Sequence, residues 1–159
     1  MKDFTALTGR QDLYMKNVDE VSRRIDSVIS DSALKKKTGG KTYLFLRVSP
    51  AKNKVLKEHF GNEIFRSLGL SPVVSDDSSL DEISVEAVLA ANPDYIFVVA
   101  QGSQKNADEA FFWAYESNPA WGSLEAVKNG NVRMLPKELF NYKPNARWAE
   151  SYEFVRSLL

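Results

Sequence analysis

The sequence predicts an α/β fold in three layers, a mostly parallel sheet flanked by helices, with one long helix ahead of it. Two stretches carry most of that reading. Residues 84–100, SVEAVLAANPDYIFVVA, give a short helix with Val85, Val88 and Leu89 on one face, a stop at Asn92-Pro93, and then a strand. The stop follows because the residue before a proline is pushed out of the α region. Tyr95 to Val99 is too short and too continuously apolar for a surface helix, and a strand covered on both faces, as in a parallel sheet, accounts for it. In the other stretch, Gln11 to Leu34, the residues Tyr14, Val18, Val21, Ile25 and Val28/Ile29 recur at steps of three and four. That is the stripe of a long amphipathic helix that lies against something along its length.

The remaining elements follow in chain order. KKKTGG at 35–40 combines lysines suited to a helix C-terminus with glycines suited to a C-cap. Thr42 to Val48 is a strand rich in β-formers, Ser49 to His59 a polar loop, and Phe60 to Leu68 a helix closed by Gly69. Ser71 to Leu80 is a loop with a short strand at Val73-Val74. Ala107 to Tyr115 is a helix broken by Asn118-Pro119, and Leu124 to Lys128 a short helix ended by the turn signal Asn129-Gly130. Val132 to Leu135 makes a third strand, and Asn145 to Leu158 a closing helix with Trp148, Tyr152 and Val155 on one face. Strands alternating with helices argue for βαβ units. The first long helix has no strand before it, an asymmetry from which the expectation is a piece of something larger.

Bulk composition excludes several classes. At 159 residues, 43% apolar and 26% charged, the chain suits one soluble domain with a single core. Zero formal net charge gives a nucleic-acid partner no global support. No apolar run approaches the roughly 20 residues needed to span a bilayer, and MKDFTALTGR lacks a signal-peptide core. With no cysteine there is no disulfide, no thiolate nucleophile and no cysteine-based zinc site. Charge is nevertheless segregated: Arg47, Lys52, Lys54 and Lys57 stand close together, whereas residues 76–94 hold six carboxylates and no cation.

Gly39-Gly40-Lys41-Thr42 imitates the end of a phosphate-binding loop, but Lys35 stands where the first glycine belongs and a strand follows instead of a helix. No GxGxxG occurs, which removes the dinucleotide fingerprint. Asp76, Asp77, Asp81 and Glu82 fit no calcium-loop spacing and read as a solvated turn. A catalytic triad would have to use His59, the only histidine, which sits in a loop before a helix. Arg47 says more. It interrupts an apolar strand near its carboxyl end, where open α/β sheets hold ligands, and it needs either a structural salt bridge or an anionic ligand. Gln101 and Gly102 end the next strand on the same edge, and the third strand leads to Phe140-Asn-Tyr-Lys-Pro-Asn145, which brings Tyr142, Lys143 and Asn145 to that rim. The converging groups include no nucleophile and base pair, so the surface reads as a binding site and the chain as no enzyme.

Together these stretches resemble a family, the solute-binding proteins of ABC importers for ferric siderophores, haem and cobalamin. The resemblance runs from the helix at Gln11 to Leu34 through LFLRVS, HFGNEIFRSLGL, SLDEISVEAVLAANPDYIFVV and NPAWGSLEAVKNGNVRMLP to LFNYKPNARWAESYEFV. It implies that residues 1–38 are the backbone helix between two lobes and 39–159 the C-terminal α/β lobe. The N-terminal lobe, signal peptide and lipid-bearing cysteine would lie outside this chain, and the full-length protein would be extracytoplasmic, at the cell surface or in a periplasm. The implied function is capture of a ferric siderophore between lobes and delivery to a permease, with no resident cofactor. Haem or a corrinoid, or a stand-alone interaction lobe, are the alternatives. Residue by residue, Arg47 matches a strand-end arginine for an anionic ferric complex, His59 a second cleft cation, and Tyr142 a rim position near the metal complex. Gln101 stands where certain haem binders carry an axial histidine. Glu86 matches a surface glutamate that pairs with permease arginines, its competing role being a dipole partner at a helix N-terminus.

Overall fold

The structure, a computed structural model, describes residues 2–75, 81–142 and 147–159. Its centre is strand β1 (Thr42–Val48), with β2 (Lys54–Val55) antiparallel and β3 (Ser71–Pro72) parallel to it on one side. On the other side β1 pairs in parallel with β4 (Tyr95–Ala100), and β4 with β5 (Val132–Leu135). The sheet is therefore mostly parallel, as its sequence predicts. All six residues of β4 are buried, which explains the continuous apolar run: this strand has helices over both faces.

One face presents Tyr43, Phe45, Tyr95, Phe97, Val99 and Leu135. Helices α3 (Glu20–Ile29), α5 (Phe60–Ser67) and α10 (Trp148–Leu158) cover it. The Phe65 ring stacks on Phe97 at 4.2 Å and lies 4.9 Å from Tyr43. The other face presents Leu44, Leu46, Val48, Ile96 and Val98 to α6 (Val85–Ala91) and α7 (Gln104–Phe111), with Trp121 and Ala126 completing the core. Arg24 binds Glu153 through two hydrogen bonds of 2.8 and 2.6 Å and so ties α3 to α10.

Several boundaries differ from the sequence reading, each for a local reason. The helix expected over Gln11 to Leu34 begins as α2 (Gln11–Tyr14), passes through a π-helical turn (Met15–Asp19) and ends with α3 at Ile29. There Asp31 caps a new helix, α4 (Ser32–Thr38), by accepting from the Ala33 and Leu34 N–H groups at 3.1 Å. A strong N-cap thus starts a new helix just past the end of the hydrophobic stripe. The N-terminal residues add a separate helix, α1 (Lys2–Leu7). The polar loop after β1 contains β2, and the third short strand lies at Ser71–Pro72, two residues before the expected Val73-Val74. The helix expected at Ala107 begins at Gln104, because Ser103 caps it, and continues as a π-helical segment (Phe112–Glu116). The helix α8 (Glu125–Lys128) falls as expected, while a further turn, α9 (Lys137–Phe140), follows β5.

Candidate functional site

Parallel register brings the carboxyl ends of three strands together: Arg47 lies opposite Val99, and Val99 opposite Leu135. Alternation along β1 puts Arg47 on the same face as Tyr43 and Phe45. It is the charged continuation of an apolar column. Arg47 is half-buried and its Nε is buried without a hydrogen-bond partner. That donor is left without a hydrogen bond inside the lobe, which a buried polar group needs.

Next to it, His59 caps α5, its Nδ1 accepting the Gly61 N–H at 3.1 Å. The imidazole lies edge-on to Phe45 (5.2 Å) and against Phe60 (4.2 Å), and Phe60 in turn meets Trp148 (5.2 Å). Burial, and after it the positive charge of Arg47, push the His59 pKa down from 6.5 to about 4. His59 is therefore neutral at physiological pH, which corrects the expectation of a second cleft cation. With Nδ1 engaged as an acceptor, Nε2 carries the proton and is a hydrogen-bond donor.

Arg47 and His59 share the wall of a cleft of about 500 Å³ with Lys54, Lys57, Glu58 and Asp81. Lys57 lies 3.5 Å from Asp81. Arg47, Lys54 and Lys57 face two carboxylates, so the lining carries one excess positive charge. The cleft's shape depends on a residue that sequence reasoning passed over. Asn62, buried in α5, accepts the Tyr43 hydroxyl at 2.9 Å and donates from Nδ2 to the Leu56 carbonyl (2.6 Å) and to the Lys57 carbonyl. It fastens the cleft-lining segment to the helix. The available signal was an amide, a poor helix former, inside the amphipathic stretch HFGNEIF.

The other candidate residues are dispersed. Gln101 is exposed, and its N–H donates to the Val48 carbonyl at 2.9 Å, which sets it beside the end of β1 but outside the cleft lining. Tyr142 is exposed and does not line the cleft either. Lys143 and Asn145, like Asp76 and Asp77, lie outside the described residues. Glu86 is exposed in the first turn of α6, and hydrogen bonds from its own N–H and from the Ser84 hydroxyl lower its pKa. A helix feeding a parallel strand runs back along it, so Glu86 stands toward the same end of the lobe as the cleft, on the opposite sheet face. Among the described residues no group of three or more His, Asp or Glu side chains is placed to hold a metal ion, and no helix is long and apolar enough to cross a membrane.

Residues 1–139 match the sequence profile of a family described as periplasmic binding protein. A Fe(3+)-citrate-binding protein of Bacillus subtilis is 36% identical over 73 residues, which are 46% of this chain and 22% of that protein. An ABC transporter substrate-binding protein from Listeria monocytogenes superposes with a TM-score of 0.73 at 27% identity, covering 99% of this chain and 61% of that one. IsdE of S. aureus in complex with haem gives 0.78 at 20% identity over 98% and 60%. A B. subtilis component of a ferrichrome ABC transporter gives 0.72 at 23% over 99% and 60%. At such identities the last two show a common fold alone. The chain spans 22% of the length of the B. subtilis citrate relative and 61% of the Listeria structure.

Proposed function

The chain belongs to the periplasmic binding protein family, and from that premise we propose that it is the C-terminal lobe, with the interlobe helix, of the substrate-binding component of an ABC importer for an anionic ferric chelate. The observation that carries this is Arg47, a cation with an unpartnered buried Nε at the carboxyl end of β1, in a cleft with excess positive charge. A chelate whose carboxylate or catecholate oxygens face this lobe would accept charge-assisted hydrogen bonds from Arg47 and a neutral one from His59 Nε2. The Fe(3+)-citrate-binding relative supports the same class of cargo. A second lobe, outside this chain, would close over the ligand's other side. The full-length protein would work outside the cytoplasm on a lipid anchor or in a periplasm, with Glu86 docking on the permease.

Haem has less support from this lobe. Axial ligation by His59 Nε2 would need the proton on Nδ1, and Nδ1 is the acceptor for the Gly61 N–H. The position after β4 is Gln101, which offers an amide and no imidazole.

The test is Arg47→Ala in the full-length two-lobe protein, with ferric citrate titrated against intrinsic tryptophan fluorescence. The expected result is a Kd weakened at least tenfold, about 1.4 kcal/mol. An unchanged Kd removes Arg47 from the site and the reading with it.

A further inference from the structure

A second cavity, about 810 Å³, lies between the 49–53 connection that follows β1 and the helix α7 on the opposite face of the sheet. One wall is α7 and its π-helical continuation, where Ala110 and Ala114 supply small side chains that leave space. The other wall is the 49–53 connection after β1 and the segment 82–85. Tyr115 holds these walls in register, its hydroxyl donating to the Ile83 carbonyl at 3.2 Å. Lys52 and Glu82 pair across the rim at 2.7 Å and neutralise each other.

Two lining groups then stand uncompensated. Glu109 is exposed and has no ion-pair partner among the described residues. Trp113, one turn on, is 74% exposed and also lines the cavity. The π-helical turn at Phe112–Glu116 keeps Phe111 and Tyr115 buried while leaving an indole on the cavity wall; such insertions recur at functional sites. Glu109 and Trp113 are four residues apart on one helical segment and line the same cavity, and a carboxylate and an aromatic face both attract the same partner, an ammonium or guanidinium. Ile83, Val85 and Ala110 offer an apolar surface for the rest of such a molecule, and the volume lies in the range of small-molecule sites.

We propose that this lateral groove is a second binding site, for a small organic cation with an apolar body. Its charged head sits between the Glu109 carboxylate and the Trp113 indole, and its body lies along Ala110 toward Ile83. The two linings are distinct, for no residue lines both, although Asn53 and Glu82 of the groove adjoin Lys54 and Asp81 of the chelate cleft.

The experiment titrates the chain with phenethylammonium and, separately, with the neutral isostere 2-phenylethanol, reading ¹⁵N–¹H spectra including the Trp113 indole N–H. Saturable shifts confined to the groove, an affinity for the amine at least tenfold above the alcohol, and at least a fivefold loss in Glu109→Gln and in Trp113→Ala support the site. Both side chains are exposed, so neither substitution threatens the fold. No saturable shift at about 10 mM amine, equal affinity for the alcohol, or binding unchanged in Glu109→Gln overturns it. A lysine-rich peptide binding where the free amine does not would also overturn it, by making the groove a protein-docking surface. Arg47→Ala is expected to leave amine binding unchanged, so failure here and failure of the chelate cleft are separately readable.

Discussion

His59 is the only histidine in the chain, and this makes its environment measurable without ambiguity. Burial and the Arg47 charge put its folded-state pKa at about 4 against 6.5 for the free side chain. The folded value lies below the unfolded one, so the unfolded chain takes up the extra proton. The associated stability is therefore complete above about pH 6.5 and is lost as pH falls toward 4. Between pH 7 and pH 5 the unfolded imidazole gains most of a proton and the folded one almost none, a difference of about 2 kcal/mol by linkage, and nearer 1 once solvent screening of the half-buried ring is allowed for. Carboxylates held low in the fold, such as Asp94 and Glu153, act in the same direction but mainly below about pH 5. Urea unfolding at pH 7, 6 and 5 reads the loss, and the single imidazole Hε1 resonance reads the pKa. His59→Asn keeps a cap acceptor without a titrating group, and its stability should be flat over that window. An Hε1 midpoint at or above 6.5, or equal wild-type stability at pH 7 and pH 5, refutes the reasoning.

Three further outcomes follow from the same geometry. Asn62→Leu removes hydrogen bonds to Tyr43, Leu56 and Lys57 and leaves their polar atoms without that partner, so unfolding should become easier by about 2–4 kcal/mol; amide exchange around Leu56 to Glu58 should speed up in step, and an unchanged urea midpoint would remove the fastening role. Gly61→Ala places a methyl 2.8 Å from the Phe45 ring and 3.2 Å from His59 Nδ1; the expected cost is about 1–2 kcal/mol after the helix-propensity gain, together with a His59 pKa displaced from its wild-type value, and a variant as stable as wild type with the same titration would contradict it. Glu86→Ala in the full-length protein should leave ferric citrate affinity intact and slow uptake by the intact transporter, whereas uptake at the wild-type rate would end the docking proposal.

Much of the sheet was legible because its signals are local. An Asn-Pro stop before a buried apolar run identifies β4 whatever surrounds it, and Arg47 stands out as a charge inside the apolar run of β1. The convergence of Arg47 with the Gln101 turn followed from parallel topology alone. What could not be read depends on contacts distant in sequence or on competition between local signals. The stripe ends at Val28/Ile29 while helix-compatible residues continue to Leu34, and the capping by Asp31 decides where the helix breaks. Strand β2 is two residues long and exists through pairing with Leu46 and Arg47, which no pattern in 49–59 announces. The neutrality of His59 needs Phe45 and Phe60 on two sides of the ring and Arg47 nearby, a meeting of three elements. Asn62 and the Glu109/Trp113 groove were missed for a similar reason, since partners 5–19 residues away or on another layer give an amide or an indole its meaning.

The junction between β4 and Gln101 separates two kinds of constraint. Every β4 side chain is enclosed, so the strand's identity is tied to folding, whereas Gln101 is exposed and attached to its neighbour strand through its main-chain N–H. That bond is indifferent to the side chain, for any residue except proline keeps the donor. Position 101 can therefore diverge at little cost to stability. One step of the chain divides sequence that must persist from sequence free to acquire new specificity, and lineages sharing this lobe could change what they recognise there without refolding anything beneath it.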